Sequence, residues 1–212
     1  RKRDWKWYAP IESWMYGRSL ENYNNAFTWA KWVTPSRDLI KDFNNEGDTA
    51  RFNQTVVYYA CTWSNYYPAA NYPFMYKLRS GYNNEYVVRL ADIILLEAEA
   101  YAFKGNIQKS ADLVNMIRQR AKLPNLTADK TSSKDAMIKA VLHERRLELA
   151  LEGERWFDLC RYGKVEEFMN SINSRDEGRL PQKKVFDKNS YLFPIPQTAL
   201  DQNPNLVQNP GY

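Results

Sequence analysis

The chain has 212 residues, 44% of them hydrophobic and 26% charged, with 30 Lys and Arg against 25 Asp and Glu, which suits one or at most two domains with a real core. A mean hydropathy of -0.68 would fit a disordered chain, but 15% of residues are Phe, Trp or Tyr, a large-area apolar load that disordered segments lack. No apolar run approaches the roughly 18 residues of a membrane-spanning helix, and the +5 charge is spread along the chain rather than gathered as a nucleic-acid binder would gather it.

The chain opens on Arg1-Lys2-Arg3-Asp4-Trp5, with no initiator Met and no cleavable apolar region, so it reads as a piece of something longer. Aromatic residues crowd the first part. Residues 1 to 82 hold 20 of the 31 aromatics and six of the seven Trp, at 5, 7, 14, 29, 32 and 63. Thr34-Pro35-Ser36 precedes Leu39, Ile40 and Phe43 at helical spacing, which predicts a short helix capped by Thr34 or Ser36. β-Branched Thr55, Val56 and Val57 predict a short strand. The Tyr-, Asn-, Ser- and Pro-rich stretch that follows, to Asn84, predicts a long irregular loop with room for a short β-hairpin.

From Tyr86 the pattern becomes strongly helical. Ala91, Ile94, Leu95, Ala98 and Ala102 define one apolar face with Asp92, Glu97 and Glu99 off it, and Gly105-Asn106 ends the helix. A second helix, from about Gln108 to Ala121, turns Ala111, Val114 and Ile117 inward, so the pair is an antiparallel hairpin. Small residues at its crossing make it look like one tetratricopeptide unit, whose open face needs neighbours; no second copy follows at that period. Ser132 or Ser133 then caps a long helix expected to run through Ile138, Val141, Leu142 and Leu149 toward Trp156 and Leu159, loosened at Gly153. A short amphipathic piece spans Val165 to Ile172. The tail, from Tyr191 to Tyr212, reads as turn after turn held by packing on helices.

The densest ionisable cluster runs from His143 to Asp158. Glu144, Glu148 and Glu152 stand four apart, a column of carboxylates able in principle to bind a metal or run acid/base chemistry. The same spacing sets Arg145 over Glu148, Glu152 over Arg155 and Arg155 over Asp158, and a structural salt-bridge ladder of Glu144, Arg145, Glu148, Glu152, Arg155 and Asp158 is the simpler reading. The Glu-x-x-His pattern of a di-iron bundle fails, because Ala140 precedes His143, the sole histidine, at that offset. No Gly-rich phosphate loop and no Gly-x-Ser-x-Gly turn occurs. Cys61 and Cys160 have no metal-ligand spacing and read either as one disulfide or as two free thiols. With enzyme signatures missing, the Trp- and Tyr-rich first third stands out. A sugar ring has an apolar C–H face and a hydroxyl rim, so its site needs flat rings beside Asn, Asp or Arg. Trp14, Trp29, Trp32, Trp63, Tyr66 and Tyr67 are the candidates, against the plainer reading of each ring as a core or loop anchor.

Several stretches resemble the carboxyl-terminal half of the SusD/RagB family. They are Tyr86 to Ala100, Ile117-Arg118-Gln119-Arg120-Ala121 before Leu123-Pro124, the run from His143 through Arg155-Trp156-Phe157-Asp158-Leu159 to Gly163, Phe193-Pro194-Ile195-Pro196, and Asn209-Pro210-Gly211-Tyr212. Thr34 to Ile40 and Asp48 to Phe52 also look like that family's sequence. The resemblance implies a mainly α fold: a tetratricopeptide-like hairpin scaffold with long irregular loops. Residues 1–85 would form a loop-rich variable region carrying part of the ligand face, and 86–212 the helical scaffold with its packed tail, the family's amino-terminal half lying outside this chain. It further implies an outer-membrane lipoprotein of Bacteroidota that binds oligosaccharides at the cell surface, without catalysis, cofactor, metal or nucleic acid, and delivers them to a SusC-type TonB-dependent transporter. Membrane attachment would come only through a lipidated amino terminus outside this chain. A peptide-binding member, or mainly a lid for the transporter, is the alternative. The matching motifs belong to the scaffold and carry over no ligand-binding residue.

Overall fold

The computed structural model describes residues 34–60, 67–77, 87–175 and 185–212. Among them are eight α-helices, one two-stranded antiparallel sheet and three short 3-10 turns, so the fold is mainly helical. The chain divides after Glu152 into two compact units.

The first unit begins with α1 (Arg37–Glu46). Ser36, in extended backbone, accepts from the Leu39 amide, and Gly47 ends the helix in the left-handed region that a side chain would strain. Leu39 and Phe43 form its buried face. Asp48 caps α2 (Thr49–Thr55) in turn. There the chain extends into β1 (Val56–Tyr59), which pairs with β2 (Tyr72–Met75) in the register Val56 opposite Met75 and Tyr59 opposite Tyr72. The return strand supplies the short β-hairpin for which the loop-rich stretch left room. Pro73 disguises it, yet a ribbon of two strands leaves every strand an edge, where a missing N–H costs no ladder bond.

The helical hairpin consists of α3 (Leu90–Phe103) and α4 (Ile107–Arg120), the latter capped by Asn106. Ser133 caps α5 (Lys134–Glu148). The three helices enclose one aliphatic core: Ala91, Leu95, Ala98 and Ala102 from α3, Ala111, Val114 and Ile117 from α4, Met137, Ala140 and Val141 from α5. Alanines let α3 come close enough for the Ser110 hydroxyl of α4 to donate to the Ala98 carbonyl at 2.7 Å. Two acidic residues expected off this face, Asp92 and Glu99, are buried instead, whereas Glu97 is exposed. For Asp92 the cause is Arg145, whose Nη1 donates to its carboxylate at 2.7 Å.

The long helix expected from Ser133 to Leu159 is two helices. α5 stops at Glu148, and α6 (Glu154–Arg161) begins after Leu151 and Gly153, which hold φ of 65° and 95°. Two left-handed residues end the helical ladder where periodicity alone would continue it. A second, smaller core sets Leu39 and Phe43 of α1 against Leu147 and Ala150, with the Phe52 ring 5.7 Å from that of Phe43.

The second unit holds α6, α7 (Val165–Arg175) and α8 (Gln197–Gln202). Arg155 lies over the Phe168 ring at 4.9 Å. The tail is fastened by side-chain amides. Asn170 exchanges two hydrogen bonds with the Phe186 backbone, Gln208 does the same with Ile195, and Asn209 donates to Phe193. An amide side chain offers a donor and an acceptor together, so it can satisfy an extended backbone with no second strand present.

Candidate functional site

The end of α5 carries the most elaborate chemistry among the described residues. Helix geometry puts Glu144 and Glu148 on one face, and the turn after Glu148 brings Glu152 alongside them. Guanidinium groups converge on these carboxylates from α2, from α4 and from the approach to α3. Glu144, fully buried, accepts from Arg51 Nη1 at 2.7 Å and from Arg118 Nη1 at 3.0 Å. Glu148 accepts from Arg89 Nη1 at 2.7 Å, from Arg51 Nη1 at 3.1 Å, and from Arg120. Glu152 takes the fork of Arg89 through Nε at 2.6 Å and Nη2 at 2.9 Å, and pairs with Lys77. Arg89 Nη2 and Lys77 Nζ also donate to the Glu148 carbonyl, at 2.7 and 2.8 Å. Helix ends leave such carbonyls unmatched and carry partial negative charge, so two cations there complete α5 as well as its carboxylates.

The network continues outward. Arg118 uses its Nε on the Pro124 carbonyl and its Nη2 on Glu46, which also accepts from Lys130 at 2.7 Å. Asp48 pairs with Arg51. Among the described residues, six cationic side chains (Arg51, Lys77, Arg89, Arg118, Arg120, Lys130) meet five carboxylates (Glu46, Asp48, Glu144, Glu148, Glu152). Burial opposes ionisation of Glu46, but hydrogen bonds from Lys130 and Arg118 outweigh it and hold its pKa at about 2. At Glu148 burial is likewise outweighed, by Arg89 and Arg120, and the pKa is lowered. Lys77 goes the other way: burial lowers its pKa even though Glu152 favours the charged form.

This arrangement differs from a ladder along one helix. Glu148 is held by Arg51, Arg89 and Arg120 rather than by Arg145, and Glu152 by Lys77 and Arg89 rather than by Arg155; Arg145 reaches Asp92, and Asp158 accepts from Arg161 at 2.7 Å. A pair along a helix surface stays in water, whereas a buried carboxylate needs several donors at once, and only converging segments supply them. Spacing along one helix carried no signal for Arg51, Arg89, Arg118 or Lys77. No cluster of His, Cys, Asp or Glu among the described residues could hold a metal. His143 Nε2 lies 3.1 Å from Glu46 without making a hydrogen bond, and Cys160 is a free thiol whose pKa burial raises.

One cleft of about 380 Å³ opens beside the network, lined by Gln54 and Thr55 of α2, by Lys77, Arg89 and Arg120, and by Glu148 and Glu152. Of the aromatic candidates, Trp14, Trp29, Trp32, Trp63 and Tyr66 lie outside the described residues, as does Cys61. Tyr67 is half-buried near the strands. Its hydroxyl donates to the Pro35 carbonyl at 2.7 Å, its ring meets Tyr72 edge-on at 5.6 Å, and Arg37 lies over it at 5.1 Å.

Residues 73–212 match the family model described as the SusD family. SusD-like protein P38 of Formosa agariphila is 35% identical over 135 residues, a stretch that takes in 61% of this chain and 25% of that protein. A SusD superfamily protein of Bacteroides vulgatus superposes with a TM-score of 0.66 at 25% identity, covering 84% of this chain and 44% of that one. Surface glycan-binding protein A of Bacteroides uniformis shares the fold, with a TM-score of 0.53 at 23% identity over 80% of this chain and 40% of that one. The chain thus spans less than half the length of each of these relatives.

Proposed function

The chain belongs to the SusD family, and from that premise we propose that it is part of a surface protein that binds oligosaccharides and passes them unchanged to a SusC-type TonB-dependent transporter. The observation that carries this reading is the match over residues 73–212, joined to the crowding of 20 of 31 aromatics into residues 1–82. The matched part is scaffold, and its strongest ionisable cluster is occupied in holding segments together. Carboxylates whose oxygens already accept from two or more cations have little capacity left to take a proton from a substrate. Binding is therefore assigned to the Trp- and Tyr-rich part, with Trp14, Trp29, Trp32, Trp63, Tyr66 and Tyr67 as platforms for sugar rings. Outer-membrane attachment through a lipid, and the transporter as partner, belong to the same proposal for the longer protein.

Tryptophan fluorescence titrated with a panel of polysaccharides tests it. A saturable response to at least one glycan, reduced in Trp14→Ala or Trp63→Ala, is the expected outcome. A flat response to every glycan beside a response to peptides would replace this reading with a peptide-binding one.

A further inference from the structure

Among the described residues, the ionic network and the cleft beside it stand one negative charge short. Six cations meet five carboxylates, and each carboxylate on the cleft wall is already taken: Glu148 by three guanidinium groups, Glu152 by Arg89 and Lys77. Arg51 is answered by Asp48 and Glu144 as well as by Glu148, and Arg118 by Glu46 and Glu144. The surplus thus falls on the cleft side. Arg120 is its most open member, with a side chain 60% exposed and a single nitrogen engaged, on Glu148. Lys77, with a side chain 22% exposed, and Arg89, at 23%, complete the positive wall. Gln54 and Thr55 stand on the same cleft, and its volume falls at the small end of the range of about 300–1,000 Å³ for small-molecule sites.

We propose that this cleft binds a singly charged oxyanion carried on a sugar, a uronate carboxylate or a sulfate ester, with Arg120 as the outer clamp and Lys77 as the inner donor. The substrate class rests on the glycan-binding reading above. A guanidinium fork fits the two oxygens of either group, and beside the mostly buried Lys77 and Arg89 a charge-assisted bond is screened less than in open water. The incoming charge would also offset the desolvation that now lowers the Lys77 pKa.

Calorimetric titration of the 212-residue chain with glucuronate, glucose 6-sulfate and glucose, at one ionic strength, tests the proposal and separates the two sources. Saturable binding of at least one charged sugar, with glucose showing none at the same concentrations, is expected. Arg120→Gln should weaken it about tenfold, the loss of one charge-assisted hydrogen bond. This variant keeps Arg51 and Arg89 on Glu148 and so keeps the fold, and Lys77→Gln provides a second, independent loss. Charged sugars that bind no better than glucose, or that bind equally well to both variants, would overturn the site. A tryptophan response to neutral glycans persisting in that case would leave the glycan-binding reading standing, whereas loss of both would remove the two together.

Discussion

Helix α5 runs through two regions of opposite character. Its first half, Met137, Ala140 and Val141, is packed in a dry aliphatic core with α3 and α4. Its second half buries Glu144, Arg145 and Glu148 at the same three- and four-residue spacing. The first region gains from each apolar group removed from water, by about 25 cal/mol per Å², and tolerates small changes of shape. The second gains little from its mere existence, since desolvating the ions offsets their attraction, but breaking it by halves is costly. One helix thus rests on an interface that degrades gradually at one end and abruptly at the other. The abrupt end ties together α2, α4 and the segments around Lys77 and Arg89.

The contrast can be broken first at Glu144. Glu144→Leu leaves Arg51 and Arg118 facing each other's charge in a buried place, and urea unfolding should show a loss of about 3–5 kcal/mol. Met137→Ala, at the dry end, should cost about 2–5 kcal/mol by transfer and cavity, and the loss should be the same at high and low salt. Acid separates the regions further. The Glu46 carboxyl is held at about 2 against an ordinary 4.5, so the stability it contributes is fully present above about pH 4.5 and disappears as pH falls toward 2. Glu148 shifts in the same direction. Melting temperature in that window should fall steeply for the parent chain and less steeply for Glu46→Gln, while Met137→Ala should parallel the parent. Ser110→Ala removes one buried bond to the Ala98 carbonyl and should cost about 0.5–1.5 kcal/mol in the same urea assay. Arg120→Gln, at the exposed rim, should change stability by no more than about 1 kcal/mol, and a larger loss would mean the rim is structural.

The two regions were unequally legible in the sequence. Period-3.6 patterning marked the inward residues of α3, α4 and α5, because Ala98, Val114 and Val141 declare their side by being apolar. Asp92 and Glu99 were misplaced on the same logic: a charged residue is read as exposed until its partner is known, and the partner of Asp92 lies 53 residues away. The carboxylate column was visible, but its guanidinium partners were sought three residues off and stand up to 97 residues off. Continuation of the long helix failed for a local reason, since left-handed backbone at Leu151 has no composition signature. Strand β2, allowed for only as a short hairpin, was obscured by Pro73, and the family itself was legible from motifs that include core and ion-pair residues such as Leu95, Arg118, Glu144 and Glu148. For the aromatic candidates only Tyr67 falls among the described residues, where packing, not spacing, fixes its surroundings.

Mutual charge between distant segments holds the carboxyl end of α5 beyond what the packing of Leu147 against Leu39 and Phe43 supplies. A double-mutant cycle between Arg51 and Glu144, read by urea unfolding of Arg51→Met, Glu144→Leu and the pair, measures this directly. The prediction is a coupling of about 1–3 kcal/mol, with the double variant recovering part of what Glu144→Leu alone loses. Losses that simply add would contradict it and place the stability in packing.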